Sequence, residues 1–334
     1  MQSKKRLLVT GCNGFIGQNF LRNLDFNKFK VVNIDCLSYA SDKKAHLNFK
    51  NVKFSKINLT NFSKLKDIFD VFKPDIVINF AAHSHVDKSI SNSALFLENI
   101  IGTHNLLKCS LGIFAKKDIK YLQISTDEVF GSVVKGAFSK LSPYNPSSPY
   151  SASKASSDHL VRAFYKTYNL PTMITYSCNN YGPFQSPEKL IPLTILNLLK
   201  KKKIGIYGKG SQLRQWIHVN DNVQAIIKLI NKNFNGNAYC IGSEYELSNL
   251  KLVKKIIKIF NEINKIKKYH LNDYFEFIEE RKGHDFRYFL DYKDLQKETN
   301  WKQAINLDLG LRATILWYLN NTNWINNQFK NIKN

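Results

Sequence analysis

The chain contains no apolar run near the roughly 20 residues that a membrane-spanning helix requires, so no membrane partner is expected. It also lacks any C-x-x-C pair. The five cysteines, Cys12, Cys36, Cys109, Cys178 and Cys240, are scattered singly, which indicates neither a zinc site nor a disulfide framework, and no metal is expected. Small buried thiols in a reducing cytoplasm are the simplest reading. After Lys4, Lys5 and Arg6 only Leu7, Leu8 and Val9 are apolar before Gly11. That is far short of a signal-peptide core of about 7–15 residues. Internal repeats and low-complexity linkers are absent. Acidic residues are scarce as well: 26 Asp and Glu against 49 Lys and Arg leave a net charge of +23. Such a balance can serve nucleic acid or an anionic surface. Here, however, the excess is lysine, spread along a chain rich in Asn and Ile, with dense clusters only at residues 200–203 and 251–268. A solvated lysine surface that helps attract an anionic substrate accounts for it, and no nucleic-acid partner is expected.

What is present is an ordinary globular composition. The 334 residues are 43% hydrophobic and 22% charged, enough to bury one large core or two intimate ones. Short apolar runs alternate with amphipathic stretches through the first half, the signature of β-α-β units and a parallel sheet. Strands are predicted over residues 6–10, 30–35, 52–57, 75–81, 120–125 and 172–177, and helices over 15–24 and 96–114. Ser148 followed by Pro149 reads as an N-cap with proline at the first helical position, opening a helix that runs to about residue 168. Beyond Tyr181 the rhythm changes, and Pro183, Pro187 and Pro192 punctuate the chain. The expected fold class is therefore α/β: a Rossmann-type, doubly wound parallel sheet over residues 1–180, with a strand near 238–243 returning to it. A smaller C-terminal α/β substrate-binding domain is expected over residues 181–334.

Between the first strand and first helix stands Gly11-Cys12-Asn13-Gly14-Phe15-Ile16-Gly17, a G-x-x-G-x-x-G loop. Glycines permit the tight turn and let the backbone approach a pyrophosphate at the positive end of the helix. Asp35 ends the second strand, where a carboxylate accepts from a ribose 2′-hydroxyl and repels a 2′-phosphate, which favours NAD over NADP.

Tyr150 and Lys154 lie four residues apart on one helix face. A neighbouring ammonium stabilises phenolate, so the lysine is expected to lower the tyrosine pKa toward that of a general base. The run Ser125-Thr126-Asp127-Glu128-Val129-Phe130-Gly131 follows a buried strand and emerges at the carboxyl end of the sheet, where ligands bind. Two adjacent carboxylates there suit elimination of water, which needs an acid for the departing hydroxyl and a base for a carbon-bound proton.

These segments together resemble the dTDP-glucose 4,6-dehydratase family of the extended short-chain dehydrogenase/reductase superfamily. The likeness also takes in residues 81–87 (Ala-Ala-His-Ser-His-Val-Asp), 179–183 (Asn-Asn-Tyr-Gly-Pro), 187–192, 206–210, 214–216, 281–285 and Trp317-Tyr318. The resemblance implies tightly bound NAD, held by Gly11, Asn13, Gly14, Phe15, Ile16, Gly17, Asp35, Asn58, Leu59, Ala81, Ala82, Tyr150, Lys154 and Asn180. It implies that Tyr150 takes the proton of the sugar 4-hydroxyl with Thr126 on that oxygen. Glu128 would then remove the C5 proton and Asp127 protonate the leaving C6 hydroxyl, giving a 4-keto-6-deoxy sugar. Substrate contacts are implied at Ser84, Thr126, Asn179, Lys189, Leu190, Tyr207, Arg214, Asn249, Arg281 and His284; forked arginine donors suit a diphosphate. A homodimer built on the helices at 96–114 and 150–168 is implied too.

The chain departs from the family pattern in several places. Asn58 stands where Asp is usual, His83 where Glu is usual and Glu98 where threonine is common. Phe130 replaces a tyrosine and Lys282 a proline. The segment 91–99 is one residue short, and 132–137 is short as well. None of these touches Thr126, Asp127, Glu128, Tyr150 or Lys154. The leading expectation is dehydration of dTDP-glucose, with UDP-glucose as the alternative nucleotide sugar. A UDP-sugar 4-epimerase or decarboxylase ranks below, because neither reaction needs the Asp127–Glu128 pair. A silent dinucleotide sensor or a basic nucleic-acid binder ranks lower still, since the chain retains the tyrosine, the lysine and both acids.

Overall fold

The computed structural model describes residues 3–333. In chain order the first half runs β1 (Lys5–Thr10), α1 (Phe15–Asn23), β2 (Phe29–Asp35), β3 (Val52–Lys56), α2 (Phe62–Phe72), β4 (Ile76–Asn79), α3 (Val86–Ser91), α4 (Leu97–Phe114), β5 (Lys120–Thr126), α5 (Pro149–Tyr168) and β6 (Thr172–Ser177). Then come β7 (Asn179–Tyr181), α6 (Leu190–Leu199), β8 (Ile204–Tyr207), β9 (Leu213–His218), α7 (Val219–Leu229), β10 (Asn237–Ile241), β11 (Glu246–Ser248) and α8 (Asn249–Ile263). The chain ends with β12 (Phe275–Ile278), α9 (Lys293–Thr299), α10 (Leu307–Asn320) and α11 (Thr322–Lys333). Among the described residues no helix is long and apolar enough to cross a membrane.

Leu7, Leu8 and Val9 of β1 and Ile76, Val77 and Ile78 of β4 are buried, as strands covered by helices on both faces must be. They form the middle of a seven-stranded parallel sheet with strand order β10-β6-β5-β4-β1-β2-β3. The direction of winding reverses between β1 and β4. In open sheets of this kind, ligands bind beyond the carboxyl ends of the strands at that switch point. The returning strand expected near 238–243 is β10, paired with β6.

A buried polar chain crosses the floor of the switch point. Thr10 Oγ1 donates to Asn79 Oδ1 at 2.7 Å, and Asn79 Nδ2 donates to Gln123 Oε1 at 3.1 Å. These bonds lock β1, β4 and β5 in register beneath the loops that carry the site. β4 stops at Asn79, two residues before the expected end, because Phe80 and Ala81 turn to donate their N–H groups to Thr10, to its carbonyl and its hydroxyl respectively. The helix expected from 96 begins at Leu97, after a 3-10 turn over Ser93–Phe96.

α5 starts where its sequence indicates. Ser148 accepts from the Ser151 N–H, the Ser151 hydroxyl accepts from the Ser148 N–H, and Pro149 occupies the first turn. This capping box fixes the position of Tyr150 one residue into the helix.

The hydrophobic side chains fall into two large clusters. One fills both faces of the seven-stranded sheet and recruits Val219, Val223 and Ile226 of α7 together with Leu290, Leu295 and Trp301. The other joins α6, α8 and α10 around Ile195, Ile256 and Leu311. It underlies two small sheets, β11-β9-β7 and β12-β8. The chain after Tyr181 thus crosses back to the first core through α7, β10 and α9.

Candidate active site

The glycine loop closes against the end of β4. Gly11 has φ +72°, and a Cβ there would lie 2.6 Å from the backbone of Ala81. A Cβ on Gly17 would lie 2.6 Å from the Cα of Cys12, so α1 can pack close only with glycine at that position. Gly14 caps α1 without any side-chain hydrogen bond. The first N–H groups of the helix are thus left for an anion at its positive end.

Beside this loop lies a cavity of about 240 Å³. Its wall brings together Gly11, Gly14, Phe15, Ile16, Gly17, Asp35, Asn58, Leu59, Ala81, Ala82, Ser84, Tyr150, Lys154 and Lys189, all expected site residues. Asn13 and Asn180 stand behind that wall. The Asn13 N–H donates to Asp35 Oδ2 at 3.0 Å, and its amide bonds Asp42 and Asn33. Asn180 donates to the Cys178 carbonyl at 2.9 Å. Both brace the loops and leave the lining to others. Sequence reasoning does not single out Cys36, Ser41, Asn99, Gln185 or Glu188, which also line the cavity. Glu188 is half-buried, and its two carboxylate oxygens are shielded from solvent without a hydrogen-bond partner. His85 Nε2 lies 3.6 Å from it, and the charges of Lys189 and Lys88 partly offset the rise that burial gives its carboxyl. Its place beside Lys189 is the one available signal.

Thr126 ends β5, and its hydroxyl accepts from the Glu128 N–H at 3.3 Å, opening a 3-10 turn over Asp127–Phe130. The turn follows the last strand residue directly, so both acids face the mouth of the sheet. Asp127 is only 2% exposed. Its Oδ1 accepts from the Thr126 hydroxyl at 3.1 Å, while Oδ2 is buried without a partner. Burial, then the charge of Glu128, push the Asp127 carboxyl up to about 7. Burial raises Glu128 as well, but Arg281, Lys189 and Arg214 all oppose that rise. The neighbouring acids therefore occupy different fields: Asp127 titrates near neutral pH, where part of it still carries a proton, and Glu128 faces three cations that favour its ionised form.

Tyr150 is buried beside them. Burial first, then Glu128 and Asp127, raise its phenol above the ordinary tyrosine value, and Thr126 pulls it the other way. This corrects the expectation that Lys154 lowers the tyrosine. The Lys154 ammonium instead donates to the Ile124 carbonyl at 2.7 Å, and its own pKa is lowered by burial against the pull of Asp158.

Three substrate-side residues, Lys189, Arg214 and Arg281, bring their charges to Glu128 from the second half of the chain. Arg214 is buried and donates to the carbonyls of Leu213, Asp285 and Phe286, with its guanidinium 4.1 Å from the centre of the Tyr288 ring. Arg281 Nε lies 3.8 Å from Asp87, to which Tyr207 also donates at 3.3 Å. His284 pairs with Glu280 at 2.6 Å, and Lys189 donates to the Ser84 carbonyl at 2.9 Å. Leu190 and Asn249 open α6 and α8, and Asn179 opens β7; no contact ties these three to the carboxylates.

A Rossmann cavity lined by a tyrosine, with a buried acid and a cation-faced base both acting on that tyrosine from beside it, defines a dinucleotide-dependent enzyme equipped for elimination. The sequence model of the GDP-mannose 4,6 dehydratase family matches residues 8–314. A dTDP-glucose 4,6-dehydratase of Haemophilus influenzae is 42% identical over 332 residues, covering 95% of this chain and 98% of the relative. That of Salmonella typhimurium is 40% identical, covering 96% and 95%. The crystal structure of a dTDP-glucose 4,6-dehydratase from Streptomyces venezuelae with NAD bound superposes with TM-score 0.88 at 34% identity, covering 97% and 99%. The UDP-glucose 4-epimerase of Thermotoga maritima, solved with UDP-glucose, superposes at 0.85 with 26% identity, covering 95% and 99%. This chain belongs to the dTDP-glucose 4,6-dehydratase family.

Proposed function

We propose that the chain converts dTDP-glucose to dTDP-4-keto-6-deoxyglucose with tightly bound NAD, a step of deoxysugar nucleotide synthesis. The observation that carries this reading is the Asp127–Glu128 pair beside Tyr150, one acid titrating near pH 7 and the other faced by Arg281, Lys189 and Arg214.

The chain supplies a fitting cradle for NAD. The uncapped start of α1 with Gly11, Gly14, Phe15, Ile16 and Gly17 suits the pyrophosphate, and Asp35 suits a ribose. Asn58 and Leu59 stand at the base end, and Ala81, Ala82, Tyr150 and Lys154 at the reacting end. When bound, NAD takes up hydride from C4 of the hexose and later returns it to C6. The rest belongs to the side chains. Tyr150 accepts the proton of the 4-hydroxyl as a phenolate, the form that the positive charge of bound NAD would favour against burial and the two acids, with Thr126 hydrogen-bonded to the same oxygen. Once C4 is a ketone the C5 proton is acidic, and Glu128 removes it. Asp127 gives its proton to the departing C6 hydroxyl. Arg214, Arg281 and Lys189 hold the diphosphate, while Ser84, Asn179, Leu190, Tyr207, Asn249 and His284 shape the sugar and base subsites. In this division of labour residues 1–180 with the returning strand hold NAD, and residues 181–334 mainly hold the nucleotide sugar.

UDP-glucose is the second substrate reading, since the two nucleotides differ by a methyl and a hydroxyl. Each such group discriminates by only about 1–3 kcal/mol in an apolar pocket. Turnover of both by the purified protein, followed by the absorbance of the 4-keto product in alkali, tests the proposal. Formation of UDP-galactose without any 4-keto product overturns it.

A homodimer through α4 and α5 is the proposed assembly. Leu97 and Ile101 form one turn-to-turn apolar stripe on α4, 56% and 47% exposed, and Tyr168 at the end of α5 is 48% exposed. Light scattering at the mass of a single chain counts against it. The five unpaired thiols suit the reducing cytoplasm as its location.

A further inference from the structure

Three polar side chains from three different elements meet in the cofactor cavity. Glu98, in the first turn of α4, uses a single oxygen, Oε2, to accept from Asn58 Nδ2 at 3.1 Å and from His83 Nε2 at 3.2 Å. The Asn58 amide is fixed in that orientation, because its Oδ1 already accepts from both the N–H and the hydroxyl of Thr60, each at 3.0 Å. His83 is fixed as well. Asn99, next to Glu98, accepts from the His83 N–H at 2.8 Å and donates to the His83 carbonyl at 3.1 Å, and its amide also donates to Ser153 on α5. Asn58, His83, Glu98 and Asn99 all line the cavity.

The arrangement leaves two polar atoms uncommitted. Glu98 Oε1 makes no hydrogen bond to any described residue, and Asn58 Nδ2 retains its second hydrogen. An acceptor and a donor thus stand side by side on one wall. The sheet order says which part of a dinucleotide meets them. The glycine loop follows β1 and takes the pyrophosphate, Asp35 follows β2 and takes the ribose, and β3 is the next strand outward. Asn58 and Leu59 follow β3, where the base must lie. Helix α4 comes close to that end because Gly102 has no side chain: a Cβ there would lie 2.9 Å from Leu59 Cβ.

We infer that Glu98 is the residue that selects adenine in the cofactor: its free Oε1 accepts from the 6-amino group while Asn58 Nδ2 donates to the adjacent ring nitrogen. This edge of adenine offers a donor beside an acceptor, the pattern that a side-chain acceptor–donor pair reads. Hypoxanthine carries a 6-keto group instead and presents an acceptor to the carboxylate. The inference rests on the NAD reading of the same cavity.

The test compares binding of NAD and of nicotinamide hypoxanthine dinucleotide to the full chain freed of co-purified nucleotide, by equilibrium dialysis. The wild-type protein is expected to bind NAD at least about tenfold more tightly, the size of a lost charge-assisted hydrogen bond. Glu98→Gln is expected to erase that ratio. In this variant the amide carbonyl must take the place of Oε2, facing two donors, so the amide N–H₂ replaces Oε1 and presents a donor to the 6-keto group. Equal binding of the two dinucleotides by the wild type overturns the inference without any variant. A ratio left unchanged by Glu98→Gln in a protein that still melts cooperatively overturns it too. Failure of the wild type to bind either dinucleotide is a different outcome, and it removes the NAD reading itself.

Discussion

The ammonium of Lys154 donates to the carbonyl of Ile124 at 2.7 Å, pinning helix α5 to the strand that leads into Thr126 and Asp127. Lys154 and Ile124 line the cofactor cavity, as does Tyr150 one turn before the lysine. Lys154 thus sets the distance between the tyrosine and the two acids, in addition to any charge it lends the site. Lys154→Met is expected to lower kcat by at least about 10²-fold, within the range of a lost acid–base contribution, and to weaken NAD binding. Steady-state rates and NAD titration check both. Unchanged rates would show that the pinning is unimportant.

The two acids should give turnover a bell-shaped pH profile. Glu128 must be ionised to take the C5 proton, so kcat/KM rises with pH on the acid limb. Asp127 must be protonated to give one up, so kcat/KM falls again as pH passes about 7, where its carboxyl titrates. The apparent values belong to the coupled pair. Arg281 is the foremost cation opposing the rise of Glu128. In Arg281→Gln the carboxylate loses that support, and the acid limb should move up by on the order of one pH unit, whatever the loss in absolute rate. A limb that stays put would mean that Glu128 does not govern it.

Much of this site is legible in the sequence because it sits where short-range rules apply. The glycine loop, Asp35 at a strand end, the Ser148–Pro149 start of α5 and the acids directly after β5 each follow from a few consecutive residues. The Glu98–Asn58–His83 junction is visible there only as three separate departures from a family pattern. That they form one network depends on the approach of α4 to the ends of β3 and β4, which no local spacing encodes. Glu188 escapes notice for the same reason. The direction of the Tyr150 shift is misread because a helix places the lysine one turn away without saying whether its ammonium reaches the phenol; the ammonium donates to the Ile124 carbonyl instead. In the second half, α7 returns to the first core through Val219, Val223 and Ile226. An amphipathic pattern gives no hint of which sheet such a helix will cover.

The unpartnered Asp127 oxygen has a thermodynamic consequence that can be measured without substrate. Its carboxyl titrates at about 7 in the folded chain against an ordinary value of 3.8. Below about pH 4 both states hold the proton, and the side chain adds no pH dependence. As pH rises from about 4 toward 7, the unfolded chain ionises while the folded one keeps its proton, so stability falls; above about 7 the penalty is constant. Asp127→Asn removes the titration. Its amide keeps the Thr126 contact through Oδ1, and its N–H₂ in place of Oδ2 adds a fixed, pH-independent cost. The difference in Tm between variant and wild type should therefore increase by a few degrees from about pH 4 to about pH 8, given roughly 2–4 °C per kcal/mol for chains of 150–250 residues and less for a longer one. Glu128→Gln should show the same sign, since burial raises that carboxyl too. A difference for Asp127→Asn that is flat across this range would mean that Asp127 is ionised at neutral pH. It could then not serve as the acid that protonates the leaving hydroxyl.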